Sequence, residues 1–410
     1  MSPLDDWLAA QAAASADAIA AAISATHLTH RRPGFGHVVV PAAGSILASP
    51  EDAHWDPEPD YFYHWPRDAG VVMLAAALLH PQDPAAWDRR FADYVTFSLA
   101  IATRAGPPAN PQRATTDAAH ARFLRPDAEL TALAGDAVPA EPRVNADGTA
   151  DFEEWGRPQY DGPALRALSC LAWPGAATAE TERLLAIDLA HVLAHAAAPC
   201  IGPWEDPPPA RHAFTMLAQR AALCAAGPRL AAAGVAEAVA RIDTAMGDLR
   251  TAGRFAASSA TDGSDADIIL GALLDPAGRF GVTEPAMAAT AEDVERWSRA
   301  RFALATDAAP LVGRWEGDVY FDGQPWLPTS LGFAEFYYRR AAGVNLDAAE
   351  RRRCRARGEA ILEAVRAARP TAGALPEQID GATGAPRSCR NLTWSHAALI
   401  AAAHARRLAG

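Results

Sequence analysis

Twelve helical segments, separated by connections of alternating character, are the feature that most restricts what this 410-residue chain can fold into. Apolar residues recur at helical spacing, and half of all residues are hydrophobic, with alanine abundant. We predict helices near residues 4–25, 66–80, 84–105, 163–173, 182–198, 211–226, 231–250, 265–274, 291–306, 325–342, 347–368 and 392–408. Between the first two helices, residues 37–40 and 45–48 are predicted to pair as a β-hairpin.

The connections that lead into the even-numbered helices are mostly the long ones, and they are rich in Trp, Tyr, Asp, Glu and Arg. They contain the segments 60–68, 155–162, 203–206, 261–267, 313–326 and 375–380. If the even helices form a parallel inner ring and the odd helices return outside it, these six loops gather at one end. The sequence therefore predicts an all-α, (α/α)6 toroid with six inner and six outer helices, a single domain over residues 1–410, and a site at its mouth.

The least regular region is residues 106–151, whose Pro, Asn, Asp and Gly content is typical of irregular structure. A connection of this length without a helical pattern is uncommon in a compact domain and is often functional. We interpret it as one long excursion near the mouth and as a candidate lid.

Composition restricts the possible partners. The formal net charge is -12 and the chain has no lysine, which argues against binding to nucleic acid; we interpret the arginine run at residues 351–357 as the solvated face of an outer helix. Residues 1–24 lack the basic region of a signal peptide, and no run of about 18 uncharged apolar residues predicts a membrane span. The five scattered cysteines form no CxxC pair. We expect a cytoplasmic protein whose partner is a small neutral molecule, and the sequence leaves its oligomeric state open.

Metal, phosphate and cofactor chemistry find no support in the sequence. HExxH, the P-loop, GxGxxG after a strand and the GxSxG elbow are all absent. The segment DGSDAD at residues 262–267 lacks the spacing and terminal Glu of a calcium-binding EF-hand, so we interpret it as helix capping. We expect neither a metal nor a cofactor.

The first polar loop, DYFYHWPRD at residues 60–68, suits a sugar ligand. Pro66 fits the first turn of the following helix, and Asp68 then lies in its positive first turn. Aromatic faces beside Arg67 and Asp68 can contact both the apolar CH faces and the hydroxyl rim of a sugar. The alternative is a packed aromatic loop with an internal ion pair.

Two glutamates in short, stiff loops are the candidates for chemistry. Glu205 lies between Pro203 and the prolines 207–209, and Glu377 lies in LPEQ at residues 375–378. The two loops are half a turn apart in a ring of six inner helices. Glycoside hydrolysis uses such a pair, one as general acid and one as general base, about 6.5–9.5 Å apart in inverting enzymes. We expect Trp204 to form an apolar wall that raises the pKa of Glu205. The alternative for either glutamate alone is a capping or ion-paired surface residue.

These loops together resemble the glucoamylase family, glycoside hydrolase family 15. The matching segments are PDYFYHWPRD at 59–68, WGRPQYDGPALR at 155–166, WED at 204–206, GQPW at 323–326 and LTWS at 392–395, in the order that the family shows. The resemblance covers about residues 44–407. It implies an exo-acting, inverting glucosidase that releases β-D-glucose from non-reducing α-glucosidic ends.

The resemblance also implies residue roles. Glu205 is similar by position to the general acid of the family, and Glu377 to its general base. Arg67 and Asp68 resemble the residues that grip the 4- and 6-hydroxyls of the terminal glucose. The other candidate substrate-binding residues are Tyr61, Trp65, Trp155, Arg157, Trp204, Asp206, Arg314, Tyr320, Trp326 and Trp394.

Two departures leave the linkage open. Asp206 stands where the fungal members have a longer Glu that helps to hold the second sugar, and three prolines follow it. Neither an N-terminal β-sandwich nor a starch-binding module is recognisable, so short soluble oligosaccharides are expected rather than raw starch. One alternative is the same enzyme acting on α-1,6 linkages (isomaltose or dextran ends) or on trehalose, and another is a non-catalytic saccharide-binding protein. A phosphorylase on a similar toroid is a further alternative, although the sequence shows no obvious phosphate cradle.

Overall fold

The computed structural model describes residues 2–54, 58–304, 311–343 and 346–410, apart from the side chains of residues 228, 232 and 233. Within those ranges the helices are α1 (Pro3–Ala22), α2 (Pro66–Leu79), α3 (Pro84–Thr103), α4 (Asp127–Ala132), α5 (Asp161–Ala172), α6 (Ala179–Ala194), α7 (Ala213–Ala226), α8 (Ala232–Asp248), α9 (Ala266–Ala272), α10 (Pro285–Arg301), α11 (Leu327–Ala342), α12 (Ala348–Ala368) and α13 (Thr393–Ala409).

The helices form two concentric rings. Helices α2, α5, α7, α9, α11 and α13 each contact the next in that order, and α13 contacts α2, which closes the inner ring. Helices α1, α3, α6, α8, α10 and α12 pack outside it. The predicted all-α toroid is therefore confirmed. The core lies between the rings, where the burial of side chains such as Phe333 and Phe336 stabilises the fold by about 1.5–3 kcal/mol each.

The prediction misplaces the start of one helix by more than four residues and omits another helix. The helix predicted at 291–306 begins earlier, because Pro285 fits the first turn of α10, and it ends at Arg301; residues 305 and 306 lie outside the described residues. Helix α4 was not predicted. It is a short helix inside the irregular region 106–151, with Asp127 and Glu129 in its positive first turn.

The N-termini of the two rings are satisfied in different ways. Four outer helices are capped by their own N-cap side chains, which belong to Ser2, Asp83, Thr178 and Asp347. Four inner helices donate their first N–H to a carbonyl of a neighbouring loop: Ala213 to Ala257, Ala266 to Arg314, Leu327 to Glu377, and Thr393 to Ala48. Of these, only α9 also has a side-chain cap, from Asp265. The inner helix ends therefore tie the loops at the mouth to one another.

A β-hairpin lies near the N-terminus, but its predicted pairing is wrong. Strand β2 (His37–Val39) pairs antiparallel with β1 (His30–Arg32) and not with residues 45–48. The turn between them closes at Gly36, whose φ of 60° favours glycine. Ile46 instead forms a bridge with Ile23 at the end of α1. The other antiparallel pairs are β3 (Tyr63–His64) with β4 (Val144–Asn145), β5 (Arg250–Thr251) with β6 (Arg254–Phe255), and β7 (Gln378–Ile379) with β8 (Pro386–Arg387).

Within the described ranges, every helix is too short or too polar to cross a lipid bilayer.

Candidate active site

All the predicted polar loops except 261–267 meet around one cavity of about 290 Å³ at the end of the ring where the inner helices begin. Its volume is at the small end of the range for small-molecule sites. The predicted site residues that line it are Tyr61, Trp65, Arg67, Asp68, Trp155, Trp204, Glu205, Asp206, Arg314, Tyr320, Trp326, Glu377 and Trp394, and Ala48, Gly156, Pro203 and Leu392 complete the lining.

The cavity has a buried floor and an exposed rim. Arg67, Asp68, Glu377 and Trp394 are all buried, whereas Asp206 is exposed to solvent. The lining is therefore exposed to solvent at Asp206 and buried at these four residues.

The carboxylate of Glu205 is held by nitrogen donors. Trp65 Nε1 (2.9 Å), Gln159 Nε2 (3.0 Å) and the Arg67 guanidinium (3.3 Å) donate to its Oε1. Trp155 Nε1 donates to Oε2 at 2.7 Å. The backbone of Glu205 has a φ of 68°, in a region that residues other than glycine rarely adopt. The loop therefore holds Glu205 in a strained backbone conformation.

Trp204 does not form the apolar wall that we expected beside Glu205. Its Nε1 donates to Asp265 Oδ2 at 2.7 Å, on the side away from the cavity. Its ring packs edge-on against Trp326, with 5.1 Å between centroids, and lies beneath the guanidinium of Arg314. The N–H donors of the neighbouring loops surround Glu205 in its place.

The carboxylate of Glu377 lies in a different environment. Tyr61 Oη (3.2 Å) and Trp326 Nε1 (3.0 Å) donate to its Oε1, and the hydroxyl of Ser388 donates to Oε2. Glu377 is only 4% exposed, and this burial raises its pKa, although the hydrogen bonds from Ser388 and Trp326 oppose the shift.

The two carboxylates share the cavity but neither a hydrogen bond nor a hydrogen-bond partner among the described residues. The rings of Tyr61 and Trp65, one from each set of donors, meet edge-to-face with 5.6 Å between centroids. Glu205 and Glu377 are therefore presented by separate walls.

Arg67 and Asp68 are buried charged residues that line the cavity. Arg67 donates to Gln159 Oε1 at 2.8 Å, and its Nε forms an ion pair at 3.2 Å with Asp68 Oδ2. That pair lacks hydrogen-bond geometry, and neither atom has a hydrogen-bond partner in the described part of the chain. Burial raises the pKa of Asp68 to about 7, although Arg67 opposes the shift. Both side chains line the cavity, where a donor and an acceptor group suit a ligand with hydroxyl groups.

Arg314 is fixed on the opposite side of the lining. Asp318 accepts from its Nε at 2.8 Å and from a terminal nitrogen at 2.7 Å, in a bidentate pair. Its guanidinium lies 5.1 Å from the ring centroid of Trp204 and 4.9 Å from that of Tyr320. Its remaining donors belong to a rigid, planar group at the cavity wall.

Arg157 is the predicted site residue that the structure does not bring into the cavity lining. Its Nε lies 3.2 Å from Glu141, and a terminal nitrogen lies 2.7 Å from Asp151. Glu141 also pairs with Arg125 at 2.7 Å. The irregular segment thus delivers two carboxylates that hold Arg157 behind the site.

Residues 106–151 support the site and do not cover it, since none of them lines the cavity. The fully buried Arg143 pairs with Asp151 at 3.0 Å. Its guanidinium lies 3.6 Å from the ring centroid of Trp155 and 4.1 Å from that of Tyr63. The segment that we predicted as a candidate lid therefore places the Arg143–Asp151 ion pair behind the aromatic residues that contact Glu205.

Sequence reasoning missed two residues that contact the carboxylates. Gln159 lies inside segment 155–166, which matches the family, so the sequence pointed to its neighbourhood but not to its contact with Glu205. Ser388 had no signal, because its place beside Glu377 depends on the short β7–β8 pair, which was not predicted.

A toroid of this kind with two carboxylates in a closed, aromatic cavity defines a glycoside hydrolase of the (α/α)6 type. Residues 137–404 match the model of glycosyl hydrolases family 15, so the chain belongs to that family. It is a glucoamylase-like hydrolase.

Its relatives agree. The chain is 26% identical to a glucoamylase of Blastobotrys adeninivorans over 91% of this chain and 69% of that one. It is 25% identical to glucoamylase-1 of Schizophyllum commune over 89% and 69%. Its fold is similar to the solved glucoamylases of Saccharomycopsis fibuligera (TM-score 0.77, 18% identity, 99% and 96% of the two chains) and Hormoconis resinae (0.79, 21%, 98% and 74%).

Proposed function

We propose that this protein is an exo-acting, anomer-inverting glucosidase. It removes single glucose units, as β-D-glucose, from the non-reducing α-glucosidic ends of short soluble oligosaccharides. The observation that carries the proposal is a closed cavity in which two carboxylates stand on separate walls.

The shape of the cavity supports exo action. Its floor is made of buried groups, among them Arg67, Asp68 and Trp394, and its exposed side is at Asp206. A chain end fits such a cavity, whereas the middle of a polysaccharide needs an open cleft. The terminal sugar enters first, and the rest of the substrate remains on the side of Asp206.

Polar groups at the floor can hold the terminal sugar. Arg67 and Asp68, which both line the cavity, suit two of its hydroxyls, one as donor and one as acceptor. The fixed guanidinium of Arg314 offers donors to further hydroxyls, while the indole faces of the lining suit the CH faces of the ring. These contacts fix the bond to be cleaved relative to both carboxylates.

In the proposed reaction, protonated Glu205 gives its proton to the glycosidic oxygen as the bond from that oxygen to C1 breaks. Ionised Glu377 takes a proton from a water molecule, whose oxygen forms the new bond to C1 from the opposite face. Glu205 is assigned the acid role because it adjoins the exposed Asp206, where the leaving part of the substrate lies. Attack from the opposite face inverts the anomeric configuration.

The test is a substrate panel of maltose, maltotriose, isomaltose and trehalose, with released glucose as the readout. We expect glucose from maltose and maltotriose, with each longer substrate shortened by one unit at a time. Preference for isomaltose or trehalose would assign the same machinery to the alternative linkages. Binding of these sugars without any hydrolysis would contradict the proposed activity and favour a non-catalytic protein. The cytoplasmic location stays a prediction from composition.

A further inference from the structure

A second cavity, of about 630 Å³, lies on the other side of residues 203–206. It is larger than the first, and its lining comes from the predicted loop 261–267, from α10 and from residues 315–317. Residues 203–206 line both cavities and form the partition between them. The loop 261–267, which does not line the first cavity, lines this one.

Trp204 shows how the partition is built. Its ring contacts Trp326 in the first cavity, whereas its Nε1 donates to Asp265 in the second. The carboxylate of Glu205 is held by donors of the first cavity alone. The second cavity therefore has polar groups of its own, although Glu205 and Asp206 line both cavities.

Three side chains of the second cavity carry polar atoms that lack a hydrogen-bond partner within the described ranges. These atoms are Trp297 Nε1, Asp267 Oδ1 and His212 Nε2. Trp297 is 7% exposed and Asp267 only 1%. Buried polar groups without a partner are unfavourable, and a bound polar molecule is one way to satisfy them.

The protonation states of these groups suit hydroxyl partners. Burial lowers the pKa of His212 to about 4, so its ring is neutral at pH 7. Burial also raises the pKa of Asp265 to about 7 and holds that of Asp267 well above its usual range. A carboxyl group that keeps its proton can both donate and accept, as a sugar hydroxyl does.

The charge of the second cavity disfavours an anion. Acidic side chains outnumber basic ones in its lining, and both of its arginines are already paired. Arg254 lies 3.3 Å from Asp293, and Arg296 pairs with the same carboxylate. With the indoles of Trp297 and Trp315 beside these polar groups, the lining matches a neutral, polyhydroxylated molecule.

We propose that this second cavity is a saccharide-binding site, which holds a neutral mono- or disaccharide separately from the cleavage cavity. The proposal rests on the proposed function only for the choice of sugar. The exposed residues Thr261, Ala300 and Glu316 belong to its lining, so the cavity opens to solvent.

Calorimetric titration of the Glu377→Gln variant with maltose and with glucose tests the proposal, because this variant leaves the second cavity intact. We expect two binding events per chain. Adding Ala300→Trp, which fills the second cavity from α10, should abolish one of them. Adding Glu292→Trp at an exposed position of the same helix, outside the cavity, should abolish neither.

Trp297→Phe provides a gentler variant, since it removes the unpaired N–H and keeps an aromatic ring. It should weaken one binding event about 5- to 10-fold and leave the other unchanged. In an otherwise wild-type chain, Ala300→Trp should leave glucose release within twofold. The proposal is overturned if Ala300→Trp leaves every binding event intact, or if the cavity binds calcium and not sugar. Hydrolysis by the wild-type protein is measured separately, so failure of the second site does not affect the test of the proposed function.

Discussion

The first cavity holds two glutamates on separate walls, and the hydrogen-bond partners of the two carboxylates differ in kind. Around Glu205, the Trp65, Trp155, Gln159 and Arg67 groups are all N–H donors, which cannot accept a proton. Around Glu377, two of the three partners are the hydroxyls of Tyr61 and Ser388, which can rotate to donate or accept.

This difference fits the two proposed roles. An acid ends its step as an anion, and fixed N–H donors stabilise the charge that develops as the proton leaves Glu205. A base ends its step protonated, and a rotating hydroxyl can accept the new hydrogen bond from Glu377. The raised pKa of the buried Glu377 agrees with a carboxyl group that takes up a proton. The partners of each carboxylate, more than its residue type, thus prepare its task.

The largest expected effect comes from removing either carboxylate. Glu205→Gln and Glu377→Gln should each lower kcat by about 10²- to 10⁴-fold, because each removes one proton transfer. The assay is glucose release from the best substrate of the panel. Glu154→Gln, at an exposed glutamate outside the cavity, is the matched control and should retain full activity. Normal activity in either active-site variant would remove that residue from the mechanism.

The next effect tests the hydroxyl wall. Ser388→Ala removes a hydrogen bond that lowers the pKa of Glu377, so that pKa should rise further. Because the base works only when ionised, activity is lost as the pH falls through this pKa. The acidic limb of the kcat/KM profile should therefore move to higher pH, with kcat about 10-fold lower or more, as for hydrogen bonds to charged groups.

Ser388 has a φ of 55°, so Ser388→Gly removes the same hydroxyl without the backbone strain of a side chain. Equal shifts of the acidic limb in the alanine and glycine variants would assign the effect to the hydroxyl. A limb that stays in place in both would contradict the role given to Ser388.

A smaller effect tests the nitrogen wall. Trp155→Phe removes the donor to Glu205 Oε2 and keeps an aromatic ring above Arg143. We expect kcat to fall about tenfold, which corresponds to the loss of roughly 1.4 kcal/mol in one hydrogen bond to a charged group. The acidic limb, which reports Glu377, should not move. If it shifts as in the Ser388 variants, the two walls do not act separately.

The smallest effect on catalysis is expected at Arg157, which lies behind the wall. Arg157→Gln should leave kcat/KM within twofold and lower the free energy of unfolding by about 1–3 kcal/mol, because Glu141 and Asp151 lose one of their partners. Arg314→Gln is the matched comparison inside the cavity, and it should raise KM strongly. Thermal unfolding and steady-state kinetics of both variants distinguish support from substrate contact.

The two rings of helices and the meeting of the polar loops were predictable, because both follow from the hydrophobic periodicity of the sequence and from the order of the loops. Helical spacing identified the inner and outer rings, and the order of the polar loops indicated that they meet at one end. The predicted hairpin pairing failed because the apolar character of residues 45–48 favoured them as the partner of residues 37–40, whereas a turn closing at Gly36 pairs residues 37–39 with the polar residues 30–32.

The finer contacts depend on how separate loops lie against each other, which periodicity does not encode. Arg157 belongs to a site-forming segment, yet Glu141 and Asp151 from the irregular region hold it behind the wall. Trp204 was expected to face Glu205, but a buried acceptor, Asp265, holds its N–H on the other side. Both outcomes follow from buried polar groups seeking partners, and these partners are distant in sequence.

The most direct test of two carboxylates acting from opposite faces is the anomeric configuration of the first glucose released. Proton NMR of the wild-type reaction, recorded before mutarotation equilibrates the product, separates the two anomers. We predict that β-D-glucose appears first from the α-linked substrate. Initial release of α-D-glucose would mean retention, and it would contradict the assignment of Glu377 as a base that activates water.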